Sequence, residues 1–285
     1  MDMIKIPKIG TAAAQAERPG WAPSAQPVEP SVSIPPKVTA IMVIADVRRF
    51  RLAVHAIEQF SQQTYQHKEM VIVNSSGTRL TGPDTDVGRE IGVSAAECPT
   101  VAALRNRGIQ EATGEWCLFF DDDDYQHPHR MTFQMAHRRP GYCVVLRDQL
   151  RVDVRNSTAC VWSEPNGIPG SVLFPKRPSW MQGKEPQFDA SLIENEDGAF
   201  LSNFGKRRIL LANDNRWFPG PALMVAFWHG LNVKTREAFF GKYAAEQYQR
   251  VRLPEITDDL SEYLKAVLEV YNMSVHEEVV PRASV

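Results

Sequence analysis

The residues from Val38 to Ala45, VTAIMVIA, form an unbroken apolar run rich in β-branched side chains, the pattern of a strand buried on both faces. The period then changes. Ala53, Ala56, Ile57 and Phe60 fall at i, i+3, i+4 and i+7, which predicts a helix with one apolar stripe. MVIV, residues 70 to 73, predicts a second strand, closed by the loop Asn74-Ser75-Ser76-Gly77. Strand, helix and strand with short joins imply a right-handed βαβ unit and a parallel sheet. The pattern then recurs. Pro99 and Thr100 introduce VAALRNRGIQEA with Val101, Leu104 and Ile109 on one face, and Gly114 stops it. EWCLFF, residues 115 to 120, is another buried strand that runs directly into Asp121-Asp122-Asp123-Asp124, and Pro128 stands where a new helix would begin.

Beyond Gly141 the segments shorten. YCVVLR, LRVDV and ACVWS predict short strands that continue the same sheet in antiparallel or mixed fashion, and SVLFP a further one. Pro165 to Pro186 is rich in Pro and Gly and reads as a long loop suited to substrate contacts. Asn195-Glu196-Asp197 precedes Phe200, Leu201 and Phe204, so acidic residues open a short helix. ALMVAFW, residues 222 to 228, is a last strand ending at His229-Gly230. Three regions follow: a Pro-rich flexible tail over 1–37, an α/β domain over 38–252, and a C-terminal amphipathic helix and tail over 253–285.

Composition narrows the function classes. An apolar share of 43% supports a buried core and argues against global disorder. A formal charge of -2 gives no sign of general nucleic-acid affinity. The four cysteines form no CxxC pair, which disfavours a zinc cage. No run of 18 or more apolar residues exists and the N-terminus lacks a signal-peptide core, so the expectation is a cytoplasmic protein without a membrane span.

The aspartate run carries the chemistry. Adjacent carboxylates about 5 Å apart repel by about 1 kcal/mol even in water, so a short loop that gathers four of them needs a compensating cation. Oxygen ligands favour Mg²⁺, Mn²⁺ or Ca²⁺, and such ions commonly bridge phosphates. In open α/β sheets ligands bind beyond the carboxyl ends of the strands, which is where Phe120 hands over to Asp121. The chain has no P-loop and no GxGxxG after its first strand.

LRNRGIQEATGEWCLFFDDDDYQHPHRM, residues 104 to 131, resembles the corresponding segment of family 2 glycosyltransferases: an Arg-Asn-rich helix, a Gly, an apolar strand, Asp-x-Asp-Asp, an aromatic and a Pro. The resemblance spans about Val38 to Phe240 and implies a GT-A fold, a Rossmann-like, mostly parallel mixed sheet flanked by helices. It further implies a nucleoside-diphosphate sugar as donor, a UDP-sugar above all, a Mn²⁺ or Mg²⁺ ion, and transfer with inversion. By position, Asp121 and Asp123 match the ends of the DxD motif, with Asp121, beside Asp122, at the ribose or sugar and Asp123 on the metal. Arg105 matches a donor-side residue, Gly170-Ser171 an acceptor-side segment, Glu196-Asp197 the acidic pair with Asp197 as base, and His229 a residue that completes the metal site. Where the family has Asp-Asp-Gly-Ser, this chain has Asn74-Ser75-Ser76-Gly77; Asn74 and Ser75, with Ala45 and Asp46 after the first strand, are the candidates to read the base. The acceptor is open between a glycan, a small molecule and a hydroxylated base in DNA; for the last, Arg138, Arg139, Lys206, Arg207 and Arg208 are candidate phosphate contacts. Lys176 and Arg177 are candidates for an anionic acceptor, and Trp180 and Trp217 for ring stacking. A non-catalytic nucleotide-sugar-binding module is the alternative from another class.

Overall fold

The computed structural model describes residues 34–80, 88–154, 158–193, 195–211, 223–228 and 251–252. Most of the expected Pro-rich tail, His229, Trp217 and the expected C-terminal helix lie outside these residues. The first half follows the predicted alternation: β1 (Val38–Ile44), α1 (Phe50–Ser61), β2 (Lys68–Asn74), β3 (Gly88–Gly92), α2 (Val101–Glu111) and β4 (Trp116–Phe119). Then come β5 (Asp124–Gln126), α3 (Arg130–Ala136), β6 (Cys143–Leu146), β7 (Asp148–Asp153) and β8 (Thr158–Ser163). The remainder holds β9 (Leu173–Pro175), α4 (Glu196–Ser202), β10 (Arg208–Leu211), β11 (Met224–Trp228) and β12 (Val251–Arg252).

Among the described residues these strands make two sheets. One has seven strands in the order β10-β6-β9-β4-β1-β2-β3, the other five in the order β12-β8-β7-β11-β5. In the first, β3, β2, β1 and β4 are mutually parallel, and β9 runs antiparallel between β4 and β6. The period of two along β1 sorts its side chains between two cores. Ala40, Met42 and Ile44 pack with Ala53, Ala56 and Phe60 of α1 and Met131 and Met135 of α3. Ile41 faces the other way, with Ala102 and Ile109 of α2 and Phe200 and Leu201 of α4. A mixed sheet with helices on both faces is the arrangement expected of a GT-A fold.

Local chemistry fixes the frame around β4. Thr100 caps α2 by accepting from the Ala103 N–H at 3.1 Å. Gly114 lets the turn into β4 lie against β1, for a Cβ there would stand 2.7 Å from the Thr39 N and 2.8 Å from the Lys37 O. Two expectations need correction. CVVL joins the first sheet, but β7, β8 and β11 form a second sheet instead of extending it, and β5, which begins inside the aspartate run, is its edge. The Pro165–Pro186 stretch is not one loop, since it holds 3-10 turns at Pro169–Ser171 and Ser179–Met181 on either side of β9. The parallel edge strand β3 was not anticipated at all.

Candidate active site

The carboxyl ends of β1 and β4 open into a cavity of about 410 Å³. Its lining brings together Asp121 to Asp124, Arg49, Arg105, Glu196 and Asp197. The ladder holds one residue past β4, where the Phe120 N–H donates to Ile41 O at 2.9 Å, and the aspartates begin directly after. Asp121 accepts from Arg105 Nη2 at 3.0 Å. Asp122 is almost fully buried and pairs with Arg49, which also reaches Asp123 at 2.8 Å. Asp124 is the first residue of β5 and buried. Burial pushes the Asp122 and Asp124 carboxyls well above the usual carboxylate range; the neighbouring aspartates add to this, while Arg49 opposes it at both and Arg130 at Asp124.

Arg105 is the hub. It comes from α2, is only 5% exposed, and so is no surface charge. Besides Asp121 it donates through Nη1 to Glu196 at 3.2 Å and to Asp197. Its guanidinium lies over the rings of Phe119 and Phe188, at 5.2 and 5.5 Å. Burial works against its charge, yet Asp197, Asp121 and Glu196 outweigh this and hold it protonated more firmly than usual.

The opposite wall belongs to the second sheet. Gln149 and Arg151 of β7 and Trp162 and Glu164 at the end of β8 line the same cavity. Arg151 lies 4.1 Å over the Trp162 ring, and the indole N–H donates to Glu164 at 2.7 Å. Sequence reasoning missed these residues and Arg49. The alternating pattern of LRVDV and ACVWS carried part of the signal, since inward positions two apart share a face.

The other sequence candidates fall elsewhere. Ala45, Asp46, Asn74 and Ser75 do not line the carboxylate cavity. The Asp46 carboxylate holds Arg48, which depresses its pKa, and caps the turn at Val47–Arg49. Asn74 is buried, donates to Thr78 O at 2.9 Å and to Glu90 at 2.7 Å, and lines a second cavity of about 450 Å³ with Thr78, Glu90 and Ser94. Ser75 donates its N–H to Ile44 O at 2.8 Å. Gly170 lies beside Asp121 in the carboxylate cavity, while Ser171 is buried and donates to Ile168 O. Lys176 closes the C-terminal end of α2 on Gln110 O and Ala112 O, and Arg177 pairs with Glu185. Trp180 donates to Gly141 O and packs on Phe204. Arg138, Arg139, Lys206, Arg207 and Arg208 cluster where β6 and β10 begin, at the end of the sheet opposite the aspartates, and are not described as lining the cavity.

The donor set suits a hard cation. Mg²⁺ is usually held by one or two carboxylates with substrate phosphates and waters completing its shell, and Asp123 offers one part-exposed carboxylate to the cavity, where Arg49 now supplies the balancing charge. Among the described residues no three His, Cys, Asp or Glu side chains converge as a complete ligand set.

Residues 51–147, a stretch that contains the 104–131 segment, match the sequence model of glycosyl transferase family 2. WcaA of Escherichia coli (strain K12), whose name assigns it to glycosyl transfer in colanic acid biosynthesis, is 30% identical over 141 residues, covering 46% of each chain. The chain therefore spans about half the length of that relative. S. aureus TarS 1-349 in complex with UDP-GlcNAc superposes with a TM-score of 0.52 at 14% identity, over 73% of this chain and 61% of TarS. Its UDP complex gives 0.50 at 16% identity, over 67% and 60%. The likeness to TarS is one of fold. No helix among the described residues is long and apolar enough to cross a membrane.

Proposed function

We propose that the chain is a metal-dependent, inverting glycosyltransferase that moves a sugar from a nucleoside-diphosphate sugar to an acceptor hydroxyl on a glycan or small molecule. One observation carries this reading: a single cavity at the carboxyl ends of the parallel strands gathers the aspartate run, Arg105 and the Glu196-Asp197 pair. The family match supports the reaction class, and the UDP and UDP-GlcNAc complexes of TarS support a UDP-sugar as the first donor to test.

Mn²⁺ or Mg²⁺ would be held by Asp123, with His229 as the expected additional ligand, and would supply positive charge for the leaving diphosphate. Asp121 would orient the ribose or sugar. Asp197 Oδ takes the acceptor hydroxyl proton as the acceptor oxygen bonds to the anomeric carbon from the face opposite the breaking bond to the diphosphate. Glu196 shares the same guanidinium and keeps that end of α4 facing the cavity.

A thermal-shift panel of UDP- and GDP-sugars with and without Mn²⁺ tests donor and metal together, because a ligand that binds only the folded state raises the melting temperature. Stabilisation by one nucleotide sugar, larger with Mn²⁺ and lost with EDTA, is expected, with slow release of sugar to water. Asp197→Asn should nearly abolish transfer and keep donor binding. Unchanged turnover in that variant removes the base assignment, and no stabilisation by any nucleotide sugar removes the donor.

A further inference from the structure

Resemblance puts Arg105 beside the donor, but its contacts reach further. It leaves α2, touches Asp121 at the end of β4, and binds both acidic residues in the first turn of α4. Helix α4 has only seven residues, and its N-cap, Asn195, sits in the left-handed region at φ 60° with no side-chain capping bond. The end that carries Glu196 and Asp197 is therefore fastened by Arg105 more than by a cap of its own.

We propose that Arg105 is a positioning residue for Asp197: it ties the acceptor-side carboxylates to the donor-side Asp121 and so aims the base at the reacting carbon. The proposal rests on the transferase reading above. Three carboxylates around one buried guanidinium would repel one another without it, and the part-exposed first turn of the helix, with Glu196 and Asp197, is the part that would shift. The guanidinium is itself restrained. It lies over Phe119 and Phe188, and Phe188 stacks on Phe200 of α4 at 4.2 Å, so the cation, the aromatic floor and the helix are one packed unit. A planar fork can hold separate carboxylates at once; an ammonium is a single point charge. A base displaced by about 1 Å loses on the order of 10²-fold in rate without any change in donor contacts.

The test combines kinetics with hydrogen exchange on the full chain, comparing wild type, Arg105→Gln and Arg105→Lys. Arg105→Gln should lower kcat on the order of 10²-fold while donor KM moves far less. It should also speed amide exchange over residues 196–202 while leaving β1 and β2 protected. Adding Arg105→Gln to Asp197→Asn should lower the residual rate little further, because the two act on one step. Arg105→Lys, which keeps the charge if the glutamine variant does not fold, should give a smaller kcat loss with the same exchange pattern. A raised donor KM at unchanged kcat overturns the proposal, making Arg105 a donor contact only. Unchanged α4 exchange in both variants also overturns it. A wild type that neither binds nor cleaves nucleotide sugars overturns the transferase reading instead, recognisable because α4 exchange still responds to Arg105→Gln.

Discussion

Replacing Arg130 with Met removes the polar centre behind the aspartate run. Arg130 is 0% exposed. Its Nη1 donates to Phe119 O at 3.3 Å and to the Gln126 side chain, and its Nε donates to Gln134 Oε1 at 3.1 Å. Gln134 passes the connection on to Val144 O at 3.1 Å and Ser171 O at 2.8 Å. Burial pushes the Arg130 pKa down to about 10, against the pull of Asp124 and Asp121. Methionine fills much of the volume but donates nothing, so three acceptors lose their donor at about 1–3 kcal/mol each where they stay buried. The glutamines can turn, so these losses do not add fully; a total of about 3–5 kcal/mol is expected, as for breaking a buried charged network from one side. For a domain of this size that lowers Tm by roughly 10 °C. Urea unfolding of the two proteins, with the slope unchanged, reads the difference directly. A loss under about 1 kcal/mol would refute the reasoning, since the network would then add nothing beyond packing.

Glu69 gives a pH signature away from the site. Burial raises its carboxyl, but hydrogen bonds from Lys37, Thr39 and Thr113 win and hold it at about 2. A depressed carboxylate stabilises the fold fully above about pH 5 and loses that contribution as the pH falls from about 4 towards 2. Glu69→Gln should therefore cost about 1–2 kcal/mol at pH 7 after screening at its partly exposed position, with the gap to wild type closing in acid; a pH-independent gap in urea midpoints counts against this. Gly114→Ala forces a methyl against β1 backbone and should cost about 1–3 kcal/mol in the same unfolding assay, whereas an unchanged midpoint would show that the turn has room.

Much of the first half was legible because buried parallel strands and amphipathic helices announce themselves by period. β1, α1, β2, α2 and β4 each carry an apolar run or stripe, and the aspartates follow a strand whose end the sequence marks. β3 was silent for a physical reason: GREIG at a sheet edge has one apolar side chain between two glycines, so it shows no run. The division into two sheets was also hidden. CVVL and DQLRVD stand one residue apart with similar apolar content, and only tertiary pairing sends the first to β10 and β9 and the second to β8 and β11. The ion pairs depend on contacts far apart in the chain. Arg49 meets Asp122 across 73 residues and Arg105 meets Asp197 across 92, and no local spacing carries such a signal. Asn74 and Asp46 were legible as polar groups at strand ends, but their backbone and arginine partners were not.

The aspartates also span a seam. Asp121 leaves the end of β4 in one sheet, and three residues later Asp124 has entered β5 in the other. The spacing of these carboxylates therefore depends on how the two sheets meet. If these acids hold a metal as proposed, a substitution deep in either layer that moves one sheet against the other would change that spacing without touching a carboxylate, so altered metal preference is to be sought among distant packing variants as well as at the acids themselves.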